Sequence, residues 1–130
     1  MKRIYLTAIL LSIGLATPLC NLAIFPIKAI AAENDVTGCY RDSQWQITVY
    51  RQNGSYYYYG KQNETQAELR LANARITTDG VRRIYTWSNR GTRYQVVWQR
   101  RDPDFIRVRV VNPAGQEMLN RLIPSGTECD

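Results

Sequence analysis

The sequence predicts an all-β domain, a single antiparallel meander of six or seven strands forming a small barrel or sandwich. Three observations point there. From Trp45 onward, apolar and polar residues alternate in short runs, the period-two pattern of half-buried strands. Asn, Asp, Gly and Pro interrupt those runs at intervals of about 8–12 residues, the turn spacing of small β domains. No stretch between the turns sustains the roughly 3.6-residue repeat of an amphipathic helix.

The elements follow in order. Trp45, Ile47 and Val49 alternate with Gln46, Thr48 and Tyr50, and Asn53-Gly54 then supplies a type I′ hairpin turn, because both residues tolerate positive φ. The returning strand holds Tyr56, Tyr57, Tyr58 and Tyr59, which must divide two rings to each face. If Trp45 pairs with the other set, Tyr57 and Tyr59 face outward. Lys61 to Thr65 is a polar loop. Ala67, Leu69 and Leu71 alternate with Glu68 and Arg70 in a third strand that can run past Asn73 to Ile76, a helix being the competing reading. Thr77-Thr78-Asp79-Gly80 marks a turn, Arg83 to Trp87 is rich in strand formers, and Asn89-Arg90-Gly91 turns again. Tyr94, Val96 and Trp98 form the next apolar set, and Asp102-Pro103-Asp104 reads as a turn because Pro fixes φ and donates no ladder bond. Ile106, Val108 and Val110 alternate with Arg107 and Arg109, after which Asn112-Pro113-Ala114-Gly115 suits a type I turn. A last strand or short helical turn covers Met118, Leu119 and Leu122.

Upstream of this pattern the chain reads as an export signal, residues 1–31. Lys2 and Arg3 form a charged start, Ile4 to Ala16 a largely apolar stretch, and Ala29-Ile30-Ala31 an A-x-A cleavage site. Cutting there leaves residues 32–130 as one domain, periplasmic or secreted. Two other fates stay open. Residues 4–27 are long enough to remain as an anchor, given roughly 20 apolar residues per span, although Pro18, Asn21 and Pro26 interrupt them. A lipid anchor needs a small residue before its Cys, whereas Leu19 precedes Cys20, and Cys39 lies beyond Glu33, Asn34 and Asp35. A membrane partner enters only if the segment is retained.

Loss of the signal removes Lys2, Arg3 and Lys28 from 17 basic residues and leaves 14 against 11 acidic ones. The mature charge is then about +3, a statement mainly about solubility. Cys20 leaves as well, so Cys39 and Cys129 are expected to pair outside the cytoplasm and close the domain end to end. Neither lies in a C-x-x-C motif that would suggest a reactive thiol.

The chain has no histidine. That excludes Ser-His-Asp and Cys-His nucleophile systems and histidine-based metal sites, and no phosphate-loop, dinucleotide or EF-hand motif occurs. No cofactor and no metal are expected. Paired carboxylates need neither His nor Cys, and the candidates are Asp102 with Asp104, Asp42 alone, and Glu117 near Asp79. Asp102 and Asp104 flank a proline where Asp ordinarily caps its own turn, so they read as structural. Asn53-Gly54-Ser55 and Asn63-Glu64-Thr65 match the glycosylation acceptor pattern, the first being more simply a hairpin turn.

The positive signal is aromatic residues interleaved with arginine. Trp45, Trp87, Tyr94 and Trp98 are assigned to the core by alternation. Tyr57 and Tyr59 are left on an outer face, and Arg107 with Arg109 point outward about 7 Å apart at strand spacing. Such a face can stack on sugars, hold an anionic ligand or receive a protein; the arginines can equally guard a sheet edge. Export makes nucleic acid an improbable partner.

The stretch from Tyr85-Thr86-Trp87-Ser88-Asn89-Arg90-Gly91 to Tyr94-Gln95-Val96-Val97-Trp98, continuing through Asp102-Pro103-Asp104-Phe105-Ile106 to Leu119-Asn120, resembles small secreted β-proteins of cyanobacteria. That likeness implies an exported domain and offers no catalytic residue. The region from Gly80 to Trp87, with the overall size, is similar to the periplasmic lysozyme-inhibitor β-barrels, which implies a small disulfide-closed barrel presenting a loop to an enzyme cleft. The sequence thus points to a non-catalytic binding module using Tyr57, Tyr59, Arg107 and Arg109. The alternative is an inhibitor of an envelope enzyme such as a lysozyme, acting through Lys61 to Thr65 or Asn89 to Gly91.

Overall fold

A computed structural model describes residues 35–129, so the export signal expected over residues 1–31 lies outside the described residues. Nine strands and no helix make up the regular structure described: β1 Gly38–Arg41, β2 Trp45–Gln52, β3 Ser55–Gln62, β4 Glu68–Leu71, β5 Arg75–Thr78, β6 Arg82–Asn89, β7 Thr92–Gln99, β8 Asp102–Val111 and β9 Glu117–Pro124. They form two antiparallel sheets, each in chain order, β1-β2-β3-β4 and β5-β6-β7-β8-β9. The fold is therefore all-β and sandwich-like, with two meanders in series and no closed barrel.

Nine strands replace the six or seven expected, for local reasons. In β1 only Tyr40 reaches the core, so Gly38-Cys39-Tyr40-Arg41 carries no visible alternation. The expected third strand is two strands in different sheets. Asn73 between them adopts a left-handed φ of 63°, which turns the chain from one sheet to the other. Asp102-Pro103-Asp104 begins β8 and is not the turn, which falls at Arg100-Arg101. There the β7–β8 register shifts between Trp98 and Gln99, an irregularity beside which a proline is tolerated. The last segment is a full strand, β9.

The short turns follow their chemistry. Asn53 and Gly54 have φ of 52° and 81°, and Arg90 and Gly91 have 51° and 82°, positive at both central residues as a type I′ hairpin requires. Gly115 N donates to Asn112 O at 2.9 Å, and the Asn112 side chain accepts from Gln116 N at 2.9 Å.

Alternation places one side-chain set of each sheet in a shared core. Ile47, Val49 and Tyr58 meet Tyr85, Trp87, Val96, Trp98, Ile106, Val108 and Ile123, all buried. Burial of each such side chain is worth about 1.5–3 kcal/mol. Polar edges of the large aromatics find partners: the Trp98 indole donates to Pro103 O at 3.3 Å. The Trp87 indole donates across the core to Tyr56 O at 3.1 Å, and Ala74 N donates to the same carbonyl at 3.1 Å. One oxygen on β3 thus pins both the sheet crossing and the central tryptophan of the opposite sheet.

The sandwich is fastened along its β1–β9 side. Cys39 and Cys129 form the expected disulfide, with a Cα separation of 5.7 Å across 90 residues of sequence. Gly126 N donates to Cys39 O at 2.8 Å, and Tyr40 makes a β-bridge with Ser125. A formed disulfide fits an oxidising compartment.

Candidate functional site

Register decides which face each candidate occupies. Val49 lies opposite Tyr58 and faces the core, so Tyr57 and Tyr59, with Tyr50, Thr48 and Arg70, occupy the outer face of the four-stranded sheet. In the other sheet Val96, Val108 and Arg121 face inward in one row, so Arg107 and Arg109 occupy the outer face. Tyr57 and Tyr59 therefore lie on one outside of the sandwich and Arg107 and Arg109 on the other. The single Tyr/Arg surface expected from sequence is two surfaces.

The tyrosine surface is partly filled by its own contacts, with Tyr50 and Tyr57 half-buried. Tyr57 stacks on Tyr50, with ring centroids 5.1 Å apart and planes 12° from parallel. The Arg70 guanidinium lies over Tyr59 at 4.6 Å, and Tyr59 is buried, only 8% exposed. Tyr59 is on the expected face but is not open to a ligand, because the neighbouring strand has laid a cation across its ring.

The arginine surface is more open and includes apolar residues that alternation did not single out. A row of paired residues runs Thr77, Ile84, Val97, Arg107, Leu122 across all five strands, placing Arg107 between two aliphatic side chains. The adjacent row runs Arg75, Thr86, Gln95, Arg109, Asn120. From these rows Ile84, Val97, Arg107, Leu122, Gln95 and Arg109, together with Phe105 and Arg82, line a groove of about 420 Å³. Leu122 is 50% exposed and Phe105 37%, so the groove carries accessible apolar surface.

Its arginines are held in place. Arg107 donates to Asn120 Oδ1 at 2.8 Å, and Arg109 donates through Nε and Nη2 to Glu117 Oε2 at 3.0 and 2.8 Å. Arg82 donates to Asp79 Oδ2 at 2.7 Å. Each guanidinium has five N–H donors, so donors remain for a ligand after these bonds. Glu117 and Asp79 thus offset the charges of Arg109 and Arg82, whereas Arg107 is bonded to a neutral side chain. Because β8 lies between β7 and β9, Arg107 and Arg109 guard no sheet edge.

The carboxylates are structural partners. Asp42 accepts the amides of Gln44 and Trp45, each at 2.8 Å, and the guanidinium of Arg121. Partial burial alone would raise its carboxyl, but those hydrogen bonds outweigh it and hold the group below the usual carboxylate range. Bonds from Arg109 and Asn120 do the same to Glu117, and the Arg82 amide and guanidinium to Asp79. Carboxylates held ionised in this way are unsuited to act as general acids at neutral pH. Asp102 and Asp104 sit at the exposed start of β8. Among the described residues no group of three or more Cys, Asp or Glu could hold a metal ion.

Of the loops singled out, Lys61 to Thr65 is braced locally and against the β1–β2 turn: Gln66 N donates to Gln62 O at 2.9 Å and Asn63 N to Gln44 O at 2.9 Å. Asn89 to Gly91 is a bare two-residue hairpin. Ile84, Val97, Phe105 and Leu122 are the groove residues that sequence reasoning passed over. The available signal was apolar residues in the outward phase of strands whose inward phase was already full. Comparison with protein-family models, with curated proteins and with solved structures finds no match.

Proposed function

We propose that this protein is a non-catalytic binding module, exported to the periplasm or secreted, that holds an anionic ligand or anionic protein surface on the outer face of its five-stranded sheet. One observation carries the reading: Arg107 lies within an outward apolar row of Ile84, Val97 and Leu122, with Arg109 beside it. A solvated sheet face needs no aliphatic row, whereas binding surfaces combine apolar area with oriented arginine. Partner chemistry follows from Arg107, the groove arginine bonded to a neutral side chain, Asn120, rather than to a carboxylate. The tyrosine face, with Tyr57 stacked and Tyr59 covered, has no part in it.

The test compares the two faces. An Arg107→Ser/Arg109→Ser variant and a Tyr50→Ser/Tyr57→Ser variant are measured for retention on isolated envelope glycan and for binding an acidic peptide containing alternating leucines. Loss in the arginine variant alone is the expected result. Loss in the tyrosine variant alone, or retention by both, sinks the reading.

A further inference from the structure

We propose that a second site, sharing no residue with the outer groove, opens at one end of the sandwich and binds a small uncharged molecule that has a flat apolar ring system and one hydrogen-bond acceptor. A cleft of about 300 Å³ lies there between the inner faces of the two sheets. Trp45, Tyr58 and Leu69 line one wall, and Tyr94, Val110 and Leu119 the other.

The hollow has a specific origin. Register places Gly60 between Ile47 and Leu69 on the inner face, so the middle of that row has no side chain. The Tyr58 ring folds into the space: a Cβ at position 60 would lie 2.7 Å from the Tyr58 hydroxyl oxygen and 2.8 Å from ring carbon Cε1. Glycine is thus what lets the phenol lie along the strand with its hydroxyl at the cleft floor. The Tyr94 ring faces it with centroids 6.1 Å apart and planes at 45°. The two phenols touch each other, and with the half-buried Trp45 they present ring surface to the cleft.

Ligand class follows from what lines the cleft. No cation does, and its carboxylate, Glu68, is exposed on β4, so an anion finds no counter-charge. Tyr58 is 3% exposed, and burial pushes its phenol above the ordinary range, so it stays a protonated donor. Because Tyr58 lines the cleft, its hydroxyl can donate to an acceptor on a bound molecule in place of water. The volume is at the low end for small-molecule sites and fits about two fused rings. Met118, 65% exposed at the rim, is flexible enough to fold over an occupant.

The experiment titrates the whole protein with prodan, a neutral naphthalene ketone whose emission shifts blue in apolar surroundings. Wild type is expected to show saturable one-to-one binding. Tyr58→Phe keeps the ring and removes the donor, and should weaken binding about three- to tenfold, the loss of one neutral hydrogen bond. Ala67→Trp places an indole at the exposed rim and should abolish binding while the unfolding midpoint is retained. Arg107→Ser should leave prodan binding unchanged. No saturable binding, equal affinity in Tyr58→Phe, survival in Ala67→Trp, or displacement by tetramethylammonium would each overturn the proposal.

Discussion

Asp42 on the β1–β2 turn and Arg121 on β9 join the two sheets: the Arg121 Nε donates to Asp42 Oδ2, and its Nη1 donates to Gln44 Oε1 at 2.7 Å. Arg121 is on the inward phase of its strand, in register with Val108. An arginine there is tolerated because it lies at the sandwich margin, with its side chain 32% exposed and that of Asp42 16% exposed. Asp42 also accepts two turn amides, so its loss strands three donors at once.

Asp42→Ala should therefore destabilise the domain by about 2 kcal/mol, combining a lost side-chain cap with a partly buried charge left alone. The acid limb carries the same signature. A carboxyl whose folded pKa lies below its unfolded value contributes stability that is present above the unfolded value, 3.8, and is lost as pH falls through the folded one. Urea unfolding should show stability dropping below about pH 4, and Arg121→Gln should flatten that drop. A loss under about 0.5 kcal/mol at pH 7 would show that the contact is ornamental.

The alkaline limb should depend on Tyr40 and Tyr56. Burial, aided by the charge of Asp35, pushes both phenols up to about 12. Their hydroxyls donate to Val36 O at 2.9 Å and Asp35 Oδ2 at 3.0 Å. A raised folded pKa means stability complete below the unfolded value, 10, and lost as pH rises towards 12. Tyrosinate absorbance should rise together with unfolding in that window. A Tyr40→Phe/Tyr56→Phe variant should lose stability at neutral pH and show a shallower alkaline decline. Ionisation of either phenol well below pH 10 in the folded protein would contradict the packing described.

Removing the disulfide by Cys39→Ser/Cys129→Ser should cost about 4–5 kcal/mol, by the loop-closure argument for a bridge spanning 90 residues. That is a large share of the about 5–15 kcal/mol that holds a typical domain folded. The prediction is checked by urea unfolding of the variant against wild type, and by adding reductant to wild type, which should move its midpoint to the variant's. Coincident midpoints without reductant would mean that the β1–β9 contacts hold the ends unaided.

Alternation made the inward residues of β2, β3, β6, β7 and β8 legible, because a two-residue period fixes the face once one core residue is known. That is how Tyr57 and Tyr59 could be placed outward beside Trp45 inward. Alternation does not say which sheet a strand joins. Nothing in Leu71-Ala72-Asn73-Ala74 marks a change of sheet except an asparagine, and so Tyr57 and Arg107 could not be separated. The groove was hidden for a related reason: Ile84 and Val97 are out of phase with the core, and only cross-strand register puts them beside Arg107. The end cleft depends on a missing side chain, Gly60, which a search for functional side chains passes by.

Asn73 is the point at which that change of sheet can be tested. Its φ of 63° is left-handed, which asparagine and glycine adopt at small cost and a β-branched residue does not. Immediately after it Ala74 N donates to Tyr56 O, the carbonyl that also receives the Trp87 indole, so an altered crossing disturbs the central core contact. Asn73→Gly should lie within about 0.5 kcal/mol of wild type, because eased strain offsets the added freedom of the unfolded chain. Asn73→Ile should cost about 1–2 kcal/mol or more, the penalty of a left-handed residue plus any loss at Tyr56. Unfolding curves measure the energies, and hydrogen exchange at the Trp87 indole reports whether the damage reaches the core. If the two variants were equally stable, the left-handed residue would not be what holds the sheet crossing.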